Sequence, residues 1–226
     1  MSFSSILPIL PRASLSISRA LAIGRQSSGS ISAVLRSHKV STHHSVVFAQ
    51  RRWATSTTSH STALDPAESE ALRCLEQGTQ MLEDGEVEAA RSLYQRSVEI
   101  KRTASSLFNL GVTHYHLKEF DDAIQAWKDS IALQPSSPDA HTNLASAYVL
   151  SPISRPDLAL HHLRIAATLS PDDPEIAFNL AAVLEATGQL DEALVQYQRS
   201  KDHGVERAAM HIRNVSAKIL GQKLKE

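Results

Sequence analysis

The residues that could carry chemistry are few, and their spacing argues against most of it. His114 and His116 stand two apart, so on a helix they diverge and cannot share a metal. His161 and His162 are adjacent and diverge likewise, and His43–His44 fall in a stretch unlike the rest of the chain. Cys74 is the single cysteine, which excludes an internal disulfide and a cysteine-based zinc site. Asp121–Asp122 and Asp172–Asp173 read as helix starts, Asp121 before the second helix of a repeat, rather than as paired catalytic carboxylates. No glycine-rich phosphate loop, nucleophile elbow or HExxH is present in the sequence. The expectation is a protein that is not an enzyme and takes no cofactor and no metal. What remains is a set of three amides, Asn109, Asn143 and Asn179, separated by 34 and 36 residues. Each donates and accepts at once, as the backbone of an extended peptide does.

The charges fall into two unlike pieces. Residues 1–64 hold no Asp or Glu, 7 Lys/Arg and 16 Ser; the remainder holds 16 Lys/Arg against 24 acids, a net of −8. An acidic body disfavours a nucleic-acid surface, which needs a Lys/Arg excess on one face. A basic, Ser-rich, acid-free start has the composition of a mitochondrial transit peptide. Ile17–Leu21 could give such a leader apolar contacts, and Arg51–Arg52 precedes a processing-like stretch between Trp53 and Ser61. A secretory signal fits worse, because Pro8 and Pro11 break the short apolar run Ile6–Leu10. No run reaches membrane-spanning length. Residues 1–60 are read as a disordered targeting presequence, 61–67 as a linker, and the destination as the mitochondrial matrix or the matrix side of the inner membrane.

Past Asp65 the chain aligns to itself. Gly78, Gly111, Ala145 and Ala181 form one series, with steps of 33, 34 and 36 residues. Ala90, Ala123, Ala159 and Ala193 form a second, and Tyr94, Trp127, Leu163 and Tyr197 a third, both stepping by 33, 36 and 34. The extra length falls in a long turn, Leu150–Pro156. Asp65–Pro66 supplies an N-cap and a first-turn proline. Residues 205–221 carry an apolar stripe of Ala208, Ile212, Val215, Ile219 and Leu220, suited to a helix that closes an open end.

These positions resemble the tetratricopeptide repeat, a helix–turn–helix unit with aromatic-x₂-Leu-Gly-x₂-Tyr, then Ala-x₃-Phe, then Pro. Leu107, Leu110, Gly111, His114, Ala123, Trp127 and Pro135 fill the pattern in repeat two. His141, Leu144, Ala145, Tyr148, Ala159, Leu163 and Pro171 fill it in repeat three. Repeat four, from Ala177 through Ala193 to Tyr197, has Val205 where the proline belongs, and repeat one, from Cys74 to Tyr94, is the weakest. The resemblance implies an all-α fold, an α-solenoid of about four repeats over 68–207 (71–103, 104–137, 138–173, 174–207), then a capping helix and tail over 208–226.

It also implies a site. In this family the first helices line a concave groove, and the residue two before the Gly or Ala faces it. Asn109, Asn143 and Asn179 then form a ladder for an extended peptide, broken at Glu76 in repeat one. Phe108, Phe178, Val112 and Tyr115, with Leu75, are the candidate apolar anchors, and Thr142 and Ser146 line the same face. None of Leu72, Leu75, Thr79, Ser105, Phe108, Val112, Asp139, Thr142, Ser146, Glu175, Phe178 or Ala182 is basic. A carboxylate clamp for acidic chaperone C-termini is therefore not expected, because a desolvated carboxylate needs a cation. The expected partner is a protein or peptide segment that is neutral or mildly basic and apolar. The expected role is a non-catalytic scaffold or adaptor, acting in the assembly of a complex; the alternative is a permanent structural subunit. Residues 1–60 fused to a fluorescent reporter are expected to bring it into mitochondria; diffuse cytosolic fluorescence would remove the leader reading.

Overall fold

The computed structural model describes residues 65–225; the expected presequence, with its expected disorder and processing site, lies outside the described residues. Among the described residues there are nine helices and no strand. They are α1 (Pro66–Glu83), α2 (Val87–Ile100), α3 (Ala104–His116), α4 (Phe120–Leu133), α5 (Pro138–Leu150), α6 (Pro156–Leu169), α7 (Pro174–Ala186), α8 (Leu190–Asp202) and α9 (Ala208–Lys223). Consecutive helices pack in order, as four hairpins stacked into an α-solenoid with α9 laid on α8.

The starts are set by short polar caps. Asp65 accepts from the Ala67 amide at 3.1 Å, and Pro66 needs no partner at the first helical position. Asp173 accepts from both Glu175 and Ile176 ahead of Pro174. Thr103 and Ser106 cap α3 reciprocally. Asp121 departs from its expected place: Glu119 precedes α4, and Asp121 and Asp122 sit inside its first turn, where the helix dipole favours them. The hairpin turns of repeats one, two and four share one left-handed residue, Gly85, Lys118 and Gly188, at φ +84°, +63° and +81°. Glycine takes that conformation without a Cβ clash; Lys118 bears it.

The hairpins close on the small residues. A Cβ on Gly78 would lie 2.7 Å from the Tyr94 ring, and one on Gly111 would lie 2.6 Å from Trp127 Nε1. Tyr94, Trp127, Leu163 and Tyr197 are fully buried, as are Ala90, Ala123, Ala159 and Ala193. Trp127 also donates its indole N–H to the Phe108 carbonyl at 3.0 Å, so the ring is held in place. A second register is less visible in the sequence. The Ser97, Ser130 and Ser200 hydroxyls donate to the carbonyls of Ala71, Ala104 and Pro174, each at 2.8 Å. The same bond thus fastens the end of the second helix to the start of the first in three repeats.

The final helix differs from its expected stripe at one point. Ala208 and Val215 are buried and Ile212 and Ile219 pack against the core, but Leu220 is 60% exposed. The anchors of α9 at 208, 212, 215 and 219 follow one another in steps of four, three and four, and Leu220 turns about 100° off that line. Gly111→Ala is expected to lose about 1–3 kcal/mol by overpacking against Trp127, a drop of roughly 2–4 °C per kcal/mol in the thermal midpoint at this size. Gly221→Ala, which meets open space, should match or slightly exceed the parent in the same melts.

Candidate functional site: the inner wall of the solenoid

In repeats two to four the first helices, which the repeat family places on the inner wall, are buried on more sides than the second. Ala140–Val149 of α5 are buried without a break, and α3 and α7 nearly match it; α4, α6 and α8 bury one face. Each of α3, α5 and α7 is flanked by its own second helix and by that of the preceding repeat.

The three ladder amides keep a common register on this wall, one per helix. Asn109, Asn143 and Asn179 are 7%, 0% and 4% exposed. Thr142 and Ser146, beside Asn143, are also buried, and their hydroxyls donate to the Pro138 and Thr142 carbonyls at 2.8 and 3.0 Å. These two side chains are satisfied by their own helix. Phe108 is half-buried and packs against the core. Val112 and Tyr115 belong to the continuous core, with Tyr115 edge-on to Phe120 at 5.6 Å and 5.8 Å from Trp127; burial pushes its hydroxyl up to about 12. Phe178 is taken up by the joint with the last helix. Its ring meets Tyr197 and His211 edge-on at 5.4 and 5.3 Å, and the Arg207 guanidinium lies 4.3 Å above it.

That joint has an ionic centre. Glu185 accepts from Tyr197 at 2.9 Å and from Lys218 at 2.6 Å, and His211 lies 3.5 Å away. Burial opposes its charge, but Lys218 and Tyr197 outweigh that and hold its carboxyl below the usual range. Arg207 pairs with Glu175 at the other end of α7. The cap is thus fastened to repeat four at both ends.

Two histidine groupings need a reading. His114, Glu119 and Asp122 bring ligand-type atoms within 4.8 Å of one another. Glu119 already accepts from His114 at 2.6 Å and from Arg91 at 3.0 Å, an ion-pair arrangement that joins repeats one and two and holds its carboxyl low. The other grouping was not legible from neighbours in sequence. His162 meets His141, which occupies the aromatic position of repeat three, with Nδ1 to Nδ1 at 2.9 Å. His141 Nε2 faces the Pro135 carbonyl at 3.1 Å. A carbonyl only accepts, so Nε2 carries the His141 proton and its Nδ1 accepts from His162. Tyr148 stacks on His162.

A family model described as "Tetratricopeptide repeat" matches residues 51–201, more than half of the chain, and the protein belongs to that family. No curated protein matches it by sequence. Among solved structures it is similar to the MamA protein (21% identity, TM-score 0.60, covering 65% of this chain and 81% of that one). It is likewise similar to YrrB, described as a TPR protein with an unusual peptide-binding site (21%, TM-score 0.59, 67% and 78%). A third is the first TPR of Spaghetti (RPAP3), solved bound to the HSP90 peptide SRMEEVD (22%, TM-score 0.50, 53% and 94%). At these identities the likeness is one of fold.

Burial, then the charges of His141, His161 and Lys128, lower His162 to about 4 from the ordinary 6.5. The unfolded chain therefore binds more protons than the folded one between those values, and stability falls as pH drops from about 6.5 towards 4 and is flat above. Thermal melts from pH 7 to 4.5 should show a smaller fall for His162→Phe, which keeps a ring against Tyr148 but cannot titrate. Parallel curves for the two chains would contradict this.

Proposed function

We propose that the protein is a non-catalytic scaffold that holds an extended, neutral to mildly basic segment of a partner protein along its inner wall, in mitochondria, during assembly of a larger complex. The observation that carries the reading is the register of Asn109, Asn143 and Asn179 on α3, α5 and α7, three stacked helices of one wall. Each amide carries a donor and an acceptor of the kind that pairs with a peptide backbone; at 7%, 0% and 4% exposure they must turn outward to reach one. The fold supports the class, since tetratricopeptide proteins serve as interaction scaffolds, and two structural neighbours are described with peptide sites or peptides.

Magnitudes set what else the ligand must bring. A hydrogen bond nets about 0.5–1.5 kcal/mol, and association costs several kcal/mol before any surplus appears. Three amides need apolar help. Leu75 and Phe108, each half-buried, are the anchors with surface to offer; Phe178 is already engaged by Tyr197, His211 and Arg207. Burial of one Phe contributes roughly 1.5–3 kcal/mol. An acidic terminus would enter a wall that has no cation at the positions where a clamp needs them.

A second reading, a permanent subunit of a complex, draws on the exposed apolar side chains Val195, Met210 and Leu220 of α8 and α9. Among the described residues no helix is long and apolar enough to cross a membrane, so such a subunit would dock by these faces rather than by a described span. Affinity purification of the tagged full-length chain, set against Asn109→Ala/Asn143→Ala/Asn179→Ala, separates the two. Selective loss of partners from the triple variant, with helicity and melting unchanged, supports the groove. Equal recovery of the same partners would make the ladder structural and favour the exposed faces of α8 and α9.

A further inference from the structure

The two ends of the stack are finished differently. On α1, polar groups stand on the side where the later first helices are covered. Arg73, Gln77 and Gln80 are exposed where Ser106, Leu110 and Thr113, 33 residues on, are buried. The far end is apolar instead. Val195 of α8 and Leu220 of α9 are 61% and 60% exposed, and Met210 and Leu224 are exposed as well. Between α8 and α9 runs an open groove of about 650 Å³. Leu194, Val195 and Ile212 are its apolar members, and Arg199, Asp202 and His203 its charged ones. Asp202 already accepts from Gln198 at 2.7 Å. Ile212, Ser216, Leu220 and Lys223 follow in steps of four, four and three, so the α9 edge of the groove continues to Leu220 and Lys223.

The repeat defines the shape that fits there. Successive second helices stand side by side. Arg91 of α2 donates to Glu119 at the start of α4, and Arg164 of α6 donates to Gln189 and Glu192 at the start of α8. The Glu192 side of α8 therefore faces α6. Leu194 and Gln198 come two and six residues after Glu192, about 200° and 240° round the helix, which puts the groove on the side of α8 away from α6. α9 packs on α8 as each earlier first helix packs on the second helix before it. The groove beside it is the seat of a next second helix, and among the described residues no helix fills it.

Charge defines the kind of helix. α9 holds Arg213, Lys218 and Lys223 and no acid. Lys218 pairs with Glu185; no ion pair holds Arg213 or Lys223 among the described residues. This is a local reversal in a body whose 24 acids outnumber its 16 Lys/Arg. An isologous dimer through the same face would set α9 against α9, cation against cation.

We propose that the α8–α9 groove is a docking seat for an acidic amphipathic helix of a partner protein. The helix lies where a fifth second helix would, its apolar stripe on Leu194, Val195, Ile212 and Leu220 and its carboxylates toward Arg199, Arg213 and Lys223. The seat lies apart from Asn109, Asn143 and Asn179 and is independent of any ligand they hold. Its occupant lengthens the solenoid by one element and covers the apolar end that α9 leaves open.

The test uses the full chain and a fluorescent peptide of about four helical turns, with leucine along one stripe and glutamate elsewhere, read by anisotropy. Saturable binding is expected, weakened by added salt. Val195→Gln/Leu220→Gln, at two exposed positions, should weaken it roughly tenfold or more with the melting curve unchanged, and Arg213→Gln/Lys223→Gln should also weaken it. A twin peptide with lysine in place of glutamate should not bind. Absence of binding by the glutamate peptide, or equal binding of its twin, overturns the proposal. Binding that survives Val195→Gln/Leu220→Gln belongs to another face or to the basic residues 1–64 and overturns it too. Asn109→Ala/Asn143→Ala/Asn179→Ala should bind as the parent does; loss there moves the peptide to the inner wall and removes the seat. Two further arms address other occupants. Cosedimentation of the chain with phosphatidylglycerol vesicles, or a dimer in analytical ultracentrifugation, either one lost in Val195→Gln/Leu220→Gln, would assign the face to a membrane or to a second copy and overturn the proposal.

Discussion

The fold depends on how closely two helices can approach at Gly78 and Gly111. Each glycine faces an aromatic ring from the following helix at a distance that admits no Cβ. The ring is then trapped, and in repeat two its N–H is spent on the Phe108 carbonyl. Because the ring is large and the opposing residue absent, one hairpin contact does two jobs. It sets the angle of the hairpin and fills the gap that the next hairpin stacks on. Repeats three and four reach the same seam with Ala145 and Ala181, both fully buried, against Leu163 and Tyr197. From repeat two to repeat three the volumes trade, Gly111 with Trp127 giving way to Ala145 with Leu163; repeat four combines Ala181 with the full Tyr197 ring.

Everything on the inner wall follows from that spacing. The approach of α3 to α4, or α5 to α6, places the first helices between two second helices and leaves the second helices with a wet outer face. A buried first helix has no tolerance for unpaired polar groups, and this chain answers with hydroxyls bonded to their own helix, as at Thr142 and Ser146. The same logic governs the end of the stack. An open last repeat would expose the ring of Tyr197 and the face of Phe178, and α9 covers both through His211 while Lys218 and Arg207 neutralise Glu185 and Glu175. The cap is an electrostatic fit as much as an apolar one.

What could be read in advance followed the same division. The seam was legible because glycine and alanine recur at fixed offsets, and only small residues serve there. The serine bond was legible in principle, since Ser97, Ser130 and Ser200 follow the repeat register of 33 and then 70 residues. It escaped because Ala166 replaces the serine in repeat three and serine is common elsewhere. The His141–His162 pair was hidden for a physical reason: the two come from different helices, and His141 stands where the pattern holds an aromatic. The positions of the ladder amides followed from register alone. Their burial did not, because exposure depends on how closely the flanking second helices pack, and one repeat's sequence says nothing of that. Phe178 looked like a groove residue by register, yet being in the last repeat it meets a cap where Phe108 meets another hairpin.

If the wall holds a peptide as proposed, the distribution of charge decides what it selects. Hydrogen bonds from amides are indifferent to sequence, since every peptide has the same backbone. Discrimination must then come from the positions around them, and at these the charged groups are acidic while the family's cationic clamp positions hold Leu, Phe, Thr, Ser and Val. In the peptide-site reading proposed above, such a wall would select by exclusion: a carboxylate terminus would meet no compensating charge and keep its desolvation cost, whereas a basic segment would lose nothing on approach and gain in encounter rate. Specificity of that kind is broad in what it accepts and narrow in what it refuses.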